Sequence, residues 1–156
     1  MLQVSLDRTD LALLALLQRE GRISNADLAE RVNLSASATL RRVQRLEAEG
    51  VISGYGARLD PLKLGLGLQA FVRLQLARHD RESIAQFAAQ VQSWEEVVAC
   101  HALTGDMDYL LHVVVADLDH FSRFLLDHLL ASAGVDDVNS SFVLRAVKDT
   151  RSLPLR

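Results

Sequence analysis

The apolar residues of this chain change their period once, and that change limits the folds open to it. Up to about Glu49 they recur every three or four positions, as on one side of a helix. From Leu68 they alternate, with Leu68, Ala70, Val72, Leu74 and Leu76 set against Gln69, Arg73 and Gln75, as on one face of a strand. The two patterns bury differently shaped surfaces, so two unlike domains are expected, an all-helical one followed by an α+β one. Between them "LDPLKLGLGLQ" carries Pro61, Gly65 and Gly67, which break both periods. Residues 60–67 therefore read as a linker between domains at 1–59 and 68–156.

Each domain has enough apolar material to pack. The chain has 156 residues, 49% of them hydrophobic, which argues against disorder. The apolar run Leu11–Leu17 falls far short of the roughly 18 residues a membrane-spanning helix needs, and no signal-peptide pattern precedes it. A soluble cytoplasmic protein with no membrane partner is expected. The single cysteine, Cys100, has no disulfide or zinc partner, and its apolar neighbours predict a buried, inert thiol. Charge is unevenly spread: residues 1–64 carry 9 Lys+Arg against 8 Asp+Glu, and residues 65–156 carry 8 against 12. Those nets of +1 and −4, in a chain of −3, confine any polyanion contact to the first domain.

The first domain reads as three helices. Leu11, Leu14 and Leu17, with Ala15, form the stripe of the first, with Asp7 placed to cap it and Gly21 to stop it. Ser24 and Asp27 resemble the start of a short second helix that buries Leu28, Ala29 and Val32, and Asn33 suits the left-handed turn that ends it. Ser35 then caps a third helix running to about Glu49 and closed by Gly50. In that helix Leu40, Val43 and Leu46 are expected inward, which sets Ser37, Arg41 and Arg45 outward with Arg42 on the flank. Between Ser35 and Leu46 lie three arginines and no acid, so intrahelical salt bridges do not explain them. A helix that is small and hydroxylic at its leading end and cationic behind it suits a DNA major groove. The short turn at Asn33–Leu34 gives helix-turn-helix spacing, and "GVISGYGARLD" adds two short extended pieces, as in a winged variant.

The second domain follows a βαββαβ order, which fits a ferredoxin-like sandwich with both helices on one sheet face. After the first strand, Ile84, Phe87, Ala88 and Val91 mark a helix. Val97–Leu103 and Tyr109–Val115 form two strands. Leu118, Phe121, Leu125 and Leu129 mark the second helix, and a last strand runs near Val138–Val147. "YLLHVVV" is apolar on both faces, so the face without helices is expected to meet the sheet of a second subunit. "TGDMDY", Thr104 to Tyr109, joins the two middle strands. Gly105 there exposes backbone amides, and Asp106 and Asp108 add negative charge, as an amino-acid ligand would need. On spacing alone, a tight hairpin with solvated acids remains the better reading.

Taken together, these segments resemble the Lrp/AsnC (feast/famine) family of transcription regulators. "GRIS" with its following "LA", "RRVQRLEAEGVISGY" and "TGDMDY" stand in the family's order, and the likeness runs from about Leu6 through "SSFVLRAVKDTRSLPL". Ala36 stands where many members carry proline. The resemblance implies a winged helix-turn-helix domain and a ferredoxin-like effector domain that dimerises and often assembles into octamers. It implies DNA contact by Ser35, Ser37, Thr39, Arg41, Arg42 and Arg45. It also implies an amino-acid effector, or a related metabolite, at Thr104, Gly105, Asp106, Met107, Asp108 and Tyr109. An architectural DNA-wrapping protein without an effector is the alternative. An enzyme is disfavoured, since no nucleophile with an adjacent base and no phosphate loop appears, and His101, His112 and His128 suit packing. No cofactor or metal is expected. Cys100 and His101 are adjacent on a strand and should point to opposite faces, so with Asp106 and Asp108 they make a poor ligand set.

Overall fold

Asp7 begins the first helix by accepting the Asp10 N–H at 2.8 Å, and the Asp10 carboxylate returns the bond to the Asp7 N–H at 3.1 Å, closing a capping box on α1 (Arg8–Arg19). Ser24 caps α2 (Asn25–Arg31) and Ser35 caps α3 (Ala36–Ala48), each accepting an amide of the first turn. Asn33 makes the expected left-handed turn between α2 and α3 at φ 54°. The computed structural model describes residues 4–132, 134–150 and 152–155. The chain divides into two compact units, residues 1–58 together with 148–156, and residues 59–147. The expected second domain, 68–156, reached the C-terminus instead. Residues 148–156 join the helical unit, where the Gln18 amide receives the Leu153 N–H at 2.5 Å and donates to the Leu153 carbonyl at 3.3 Å.

On both long helices of this unit the buried line keeps part of the expected stripe, Leu14 on α1 and Leu46 on α3, and departs from it elsewhere. On α1 the fully buried positions are Asp10, Leu13 and Leu14 rather than an 11/14/17 stripe. On α3 they are Thr39 and Leu46, with Val43 half-buried, while Leu40 is 45% exposed. One cause accounts for both departures. Asp10 and Arg42 meet in the seam between the helices, and a satisfied ion pair occupies positions that a hydrophobic pattern would deny to charge. The segment after α3 contains no strand among the described residues. The two extended pieces expected there pair with no strand, and the segment is tied back by the Tyr55 hydroxyl donating to Glu47 at 2.8 Å.

The second unit opens with a single 3₁₀ turn, Leu62–Leu64, inside the expected linker. The order β1 (Leu68–Leu76), α4 (Arg81–Gln92), β2 (Val97–Ala102), β3 (Tyr109–Val115), α5 (Leu118–Phe124) and β4 (Val135–Phe142) follows, with a π-helical turn, Leu125–Leu129, continuing α5. The strands form one antiparallel sheet in the order β2-β3-β1-β4. This is the ferredoxin-like arrangement. Ala70, Val72, Leu74 and Leu76 of β1 and Leu111, Val113 and Val115 of β3 pack under Phe87, Val91, Trp94, Phe121, Phe124 and Leu129. β4 starts and ends earlier than expected, because its register on β1 runs from Val135 opposite Leu76 to Phe142 opposite Ala70. Past that point β1 offers little further chain to pair, and Leu144 and Val147 are exposed. Cys100 is exposed on the edge strand β2, not buried, although desolvation still raises its thiol above the ordinary value. No helix among the described residues is long and apolar enough to cross a membrane.

Candidate nucleic-acid interface and effector loop

Helical geometry sorts the expected DNA-contacting residues into three groups. Thr39 and Leu46 are seven residues apart, about 700° along the helix, and define its inward line. Ser37, Arg41 and Gln44 lie within about 40° of the opposite line, and all three are exposed. Ser35 sits at the exposed leading end, its hydroxyl 3.2 Å from that of Ser37. These four form the outward surface of α3. Gln44 was not among the expected residues, and its spacing of three from Arg41 was the available signal that it shares their face.

Thr39 lies apart from this surface: it is fully buried, and its hydroxyl has no hydrogen-bond partner among the described residues, so it faces the helical core.

Arg42 and Arg45 are engaged within the fold. Arg42 Nη1 lies 2.7 Å from Asp7 Oδ2 and 2.8 Å from Asp10 Oδ1, and Arg45 Nη2 lies 2.5 Å from Asp10 Oδ2. Asp10 is 1% exposed. Burial alone would raise its carboxyl, but the Asp7 amide and the Arg45 and Arg42 guanidiniums outweigh that and hold it below its ordinary value. Asp7 is lowered too, chiefly by the Asp10 amide and then by Arg42. The same pairing raises Arg42. Two of the three arginines of the basic stretch thus lock α3 onto α1, and Arg41 makes no ion pair among the described residues.

The Thr104–Tyr109 loop is open at its tip and braced at its end. Thr104, Gly105 and Asp106 are exposed, Met107 and Tyr109 are half-buried, and Gly105 takes φ 115°, where an added Cβ would be strained although space is free. The Asp108 carboxylate already has partners within the fold. Its Oδ2 accepts the Leu76 N–H at 2.7 Å, and both oxygens lie 2.9 Å from His79 Nε2. Asp108 therefore ties the start of β3 to the end of β1. The Asp106 side chain has no partner among the described residues, which makes it the freer acid of the pair. No cluster of three or more His, Cys, Asp or Glu among the described residues has the grouping of a metal site.

The sheet face away from the helices is partly apolar. Gln69, Phe71 and Arg73 of β1 stand opposite Val114, His112 and Leu110 of β3. Phe71, 40% exposed, stacks on His112 at 4.7 Å between ring centroids. Arg73 donates to Asn139 at 2.9 Å on the same face.

Residues 69–153 match the Lrp/AsnC ligand-binding domain, and residues 6–53 match a winged helix-turn-helix DNA-binding model. The chain is 41% identical over 152 residues to the leucine-responsive regulatory protein of Haemophilus influenzae, covering 97% of this chain and 92% of that one. It is 41% identical over 150 residues to the Bkd operon transcriptional regulator of Pseudomonas aeruginosa, covering 96% and 98%. Among solved structures, a transcriptional regulator of Neisseria meningitidis in complex with L-Met superposes with a TM-score of 0.93 at 48% identity, covering 97% of each chain. An AsnC family regulator of Agrobacterium tumefaciens gives 0.91 at 37% identity, covering 96% and 97%. With two family models in tandem, and relatives that match along nearly their whole length, this chain belongs to the Lrp/AsnC family of DNA-binding transcription regulators.

Proposed function

We propose that the protein is a cytoplasmic, sequence-specific regulator that reads DNA with the outward face of α3 and answers to an amino acid, or a related metabolite, at the Thr104–Tyr109 loop. The observation that carries the reading is the line Ser37, Arg41, Gln44, exposed from a helix whose neighbouring arginines are tied inward. A hydroxyl at the leading end lets the backbone approach the groove. The Arg41 fork suits guanine O6 and N7 or a phosphate, and the Gln44 amide suits adenine N6 and N7.

At the effector loop, Gly105 offers amide donors for a carboxylate, and Asp106 offers an acceptor for an ammonium group. The Neisseria relative bound to L-Met supports this ligand class. The loop is part of the unit whose open sheet face, centred on Phe71 and His112, suits a second copy of the chain, with further assembly to an octamer as in the family. A ligand then alters DNA binding by favouring one arrangement of subunits over another. The architectural reading, DNA wrapping without an effector, differs in ignoring small molecules. A thermal-shift screen against the common amino acids, followed by footprinting with and without the stabilising one, separates the two. A shifted melting point together with an altered footprint is expected. No shift with any amino acid would exclude that ligand class, and a footprint that related metabolites also leave unchanged would leave the architectural reading.

A further inference from the structure

A cleft of about 770 Å³ in the helical unit carries charge that the recognition helix does not explain. Arg19 at the end of α1, Arg22 in the turn before α2 and Arg58 beyond α3 all line it, and no acidic residue does. None of the three guanidiniums makes an ion pair among the described residues. Glu20, which lies between Arg19 and Arg22 in sequence, is held by both terminal nitrogens of Arg31 at 2.6 and 3.1 Å and is not available to neutralise them. Gly54 and Gly56 border the cleft, with open space where a Cβ would stand, so a ligand can approach the backbone closely there. Ser152 completes the wall, fixed in place by the paired Gln18–Leu153 hydrogen bonds. With residues 148–156 included, this unit carries 11 Lys+Arg against 8 Asp+Glu, a net of +3, while residues 59–147 carry 6 against 12.

We propose that this cleft is a second DNA contact, binding backbone phosphates outside the segment read by α3. The proposal rests on the DNA-binding reading of the same unit. Phosphodiester oxygens suit three forked guanidiniums and a hydroxyl. The openness of the site decides between a strand and a free anion. Arg19, Arg22 and Arg58 are exposed, so water and salt screen their pull on a small anion, whereas a polyanion gains from the counterions it releases. Such contacts add affinity and salt dependence without sequence preference.

The test measures the salt dependence of binding by the full-length protein to its operator and to a scrambled duplex between 50 and 200 mM KCl. Wild type, Arg22→Ala, Arg58→Ala and Arg22→Lys are compared after circular dichroism and light scattering have matched their fold and assembly. Each alanine variant is expected to lose about 0.9 from the log–log slope, so its affinity falls about 3- to 4-fold less across that range, equally on both duplexes. Arg22→Lys should keep the wild-type slope. Wild-type slopes in both alanine variants, or losses confined to the operator, would overturn the proposal. So would inorganic phosphate, titrated at constant ionic strength, shifting the arginine side-chain NMR signals of the cleft while the DNA slopes stay unchanged. A wild type with no affinity for either duplex would instead bring down the DNA-binding reading, and this proposal with it.

Discussion

Replacing Asp10 with alanine removes the one buried charge among the described residues of the helical unit and should loosen α3 from α1. The carboxylate is 1% exposed and receives Arg42 at 2.8 Å, Arg45 at 2.5 Å and the Asp7 N–H at 3.1 Å. Truncating one partner of a fully buried ion pair costs about 3–5 kcal/mol. Here the guanidiniums left behind are 33% and 41% exposed, and Arg42 keeps its bond to Asp7. Water can solvate them, so the expected loss is smaller, about 2–3 kcal/mol including half of the capping box.

Urea unfolding at fixed protein concentration measures the loss, since assembly makes stability concentration-dependent. Its pH dependence has a definite sign. The folded-state value of Asp10 lies below the ordinary 3.8, so its contribution is fully present above 3.8 and disappears as pH falls through the lower folded value. The wild-type and Asp10→Ala stabilities should therefore converge in acid. A variant within about 0.5 kcal/mol of wild type at neutral pH, or a gap that acid leaves unchanged, would refute the reasoning.

Three further outcomes follow from the same geometry. Thr39→Val removes a hydroxyl that is buried without a partner among the described residues, so stability should hold or rise by up to about 1 kcal/mol with DNA binding intact; a clear loss of binding would restore Thr39 to the interface. Phe71→Asp places a charge at the centre of the open sheet face and should lower the mass measured by light scattering, whereas an unchanged mass would move the subunit contact elsewhere. Asp106→Ala should abolish the amino-acid thermal shift without destabilising the fold, while Asp108→Ala should lower stability itself by about 1–3 kcal/mol through the orphaned Leu76 amide; the opposite pattern would return the ligand's ammonium group to Asp108.

The sequence disclosed the order of elements and the sheet more reliably than the faces of the helices. Strand alternation from Leu68 to Leu76 was legible because period two admits only two phases, and a one-residue error would have exposed every leucine. Helix caps at Asp7, Ser24 and Ser35 were legible because capping is local. Leu14 and Leu46 of the expected stripes are buried, but Asp10 and Leu13 on α1 and Thr39 on α3 were not foreseen, because an apolar pattern gives no place to a buried Asp10 or to an Arg42 that bonds 32 residues away. The same long-range pairing hid the distinction among the arginines. The bracing role of Asp108 was hidden for a like reason, since His79 and Leu76 reach it only after β1 and β3 have paired. Exposure of Cys100 depended on β2 lying at the sheet edge, which its apolar neighbours do not reveal.

On the proposed reading, the outward line of α3, and not the whole basic stretch, reads DNA. Titration of operator DNA with Arg41→Ala and Gln44→Ala, each shown by circular dichroism and light scattering to keep wild-type fold and assembly, decides it. Each substitution should cost roughly 1–3 kcal/mol at the operator, and Gln44→Ala should also relax preference at a single base pair. Wild-type affinity and preference in both variants would contradict the assignment.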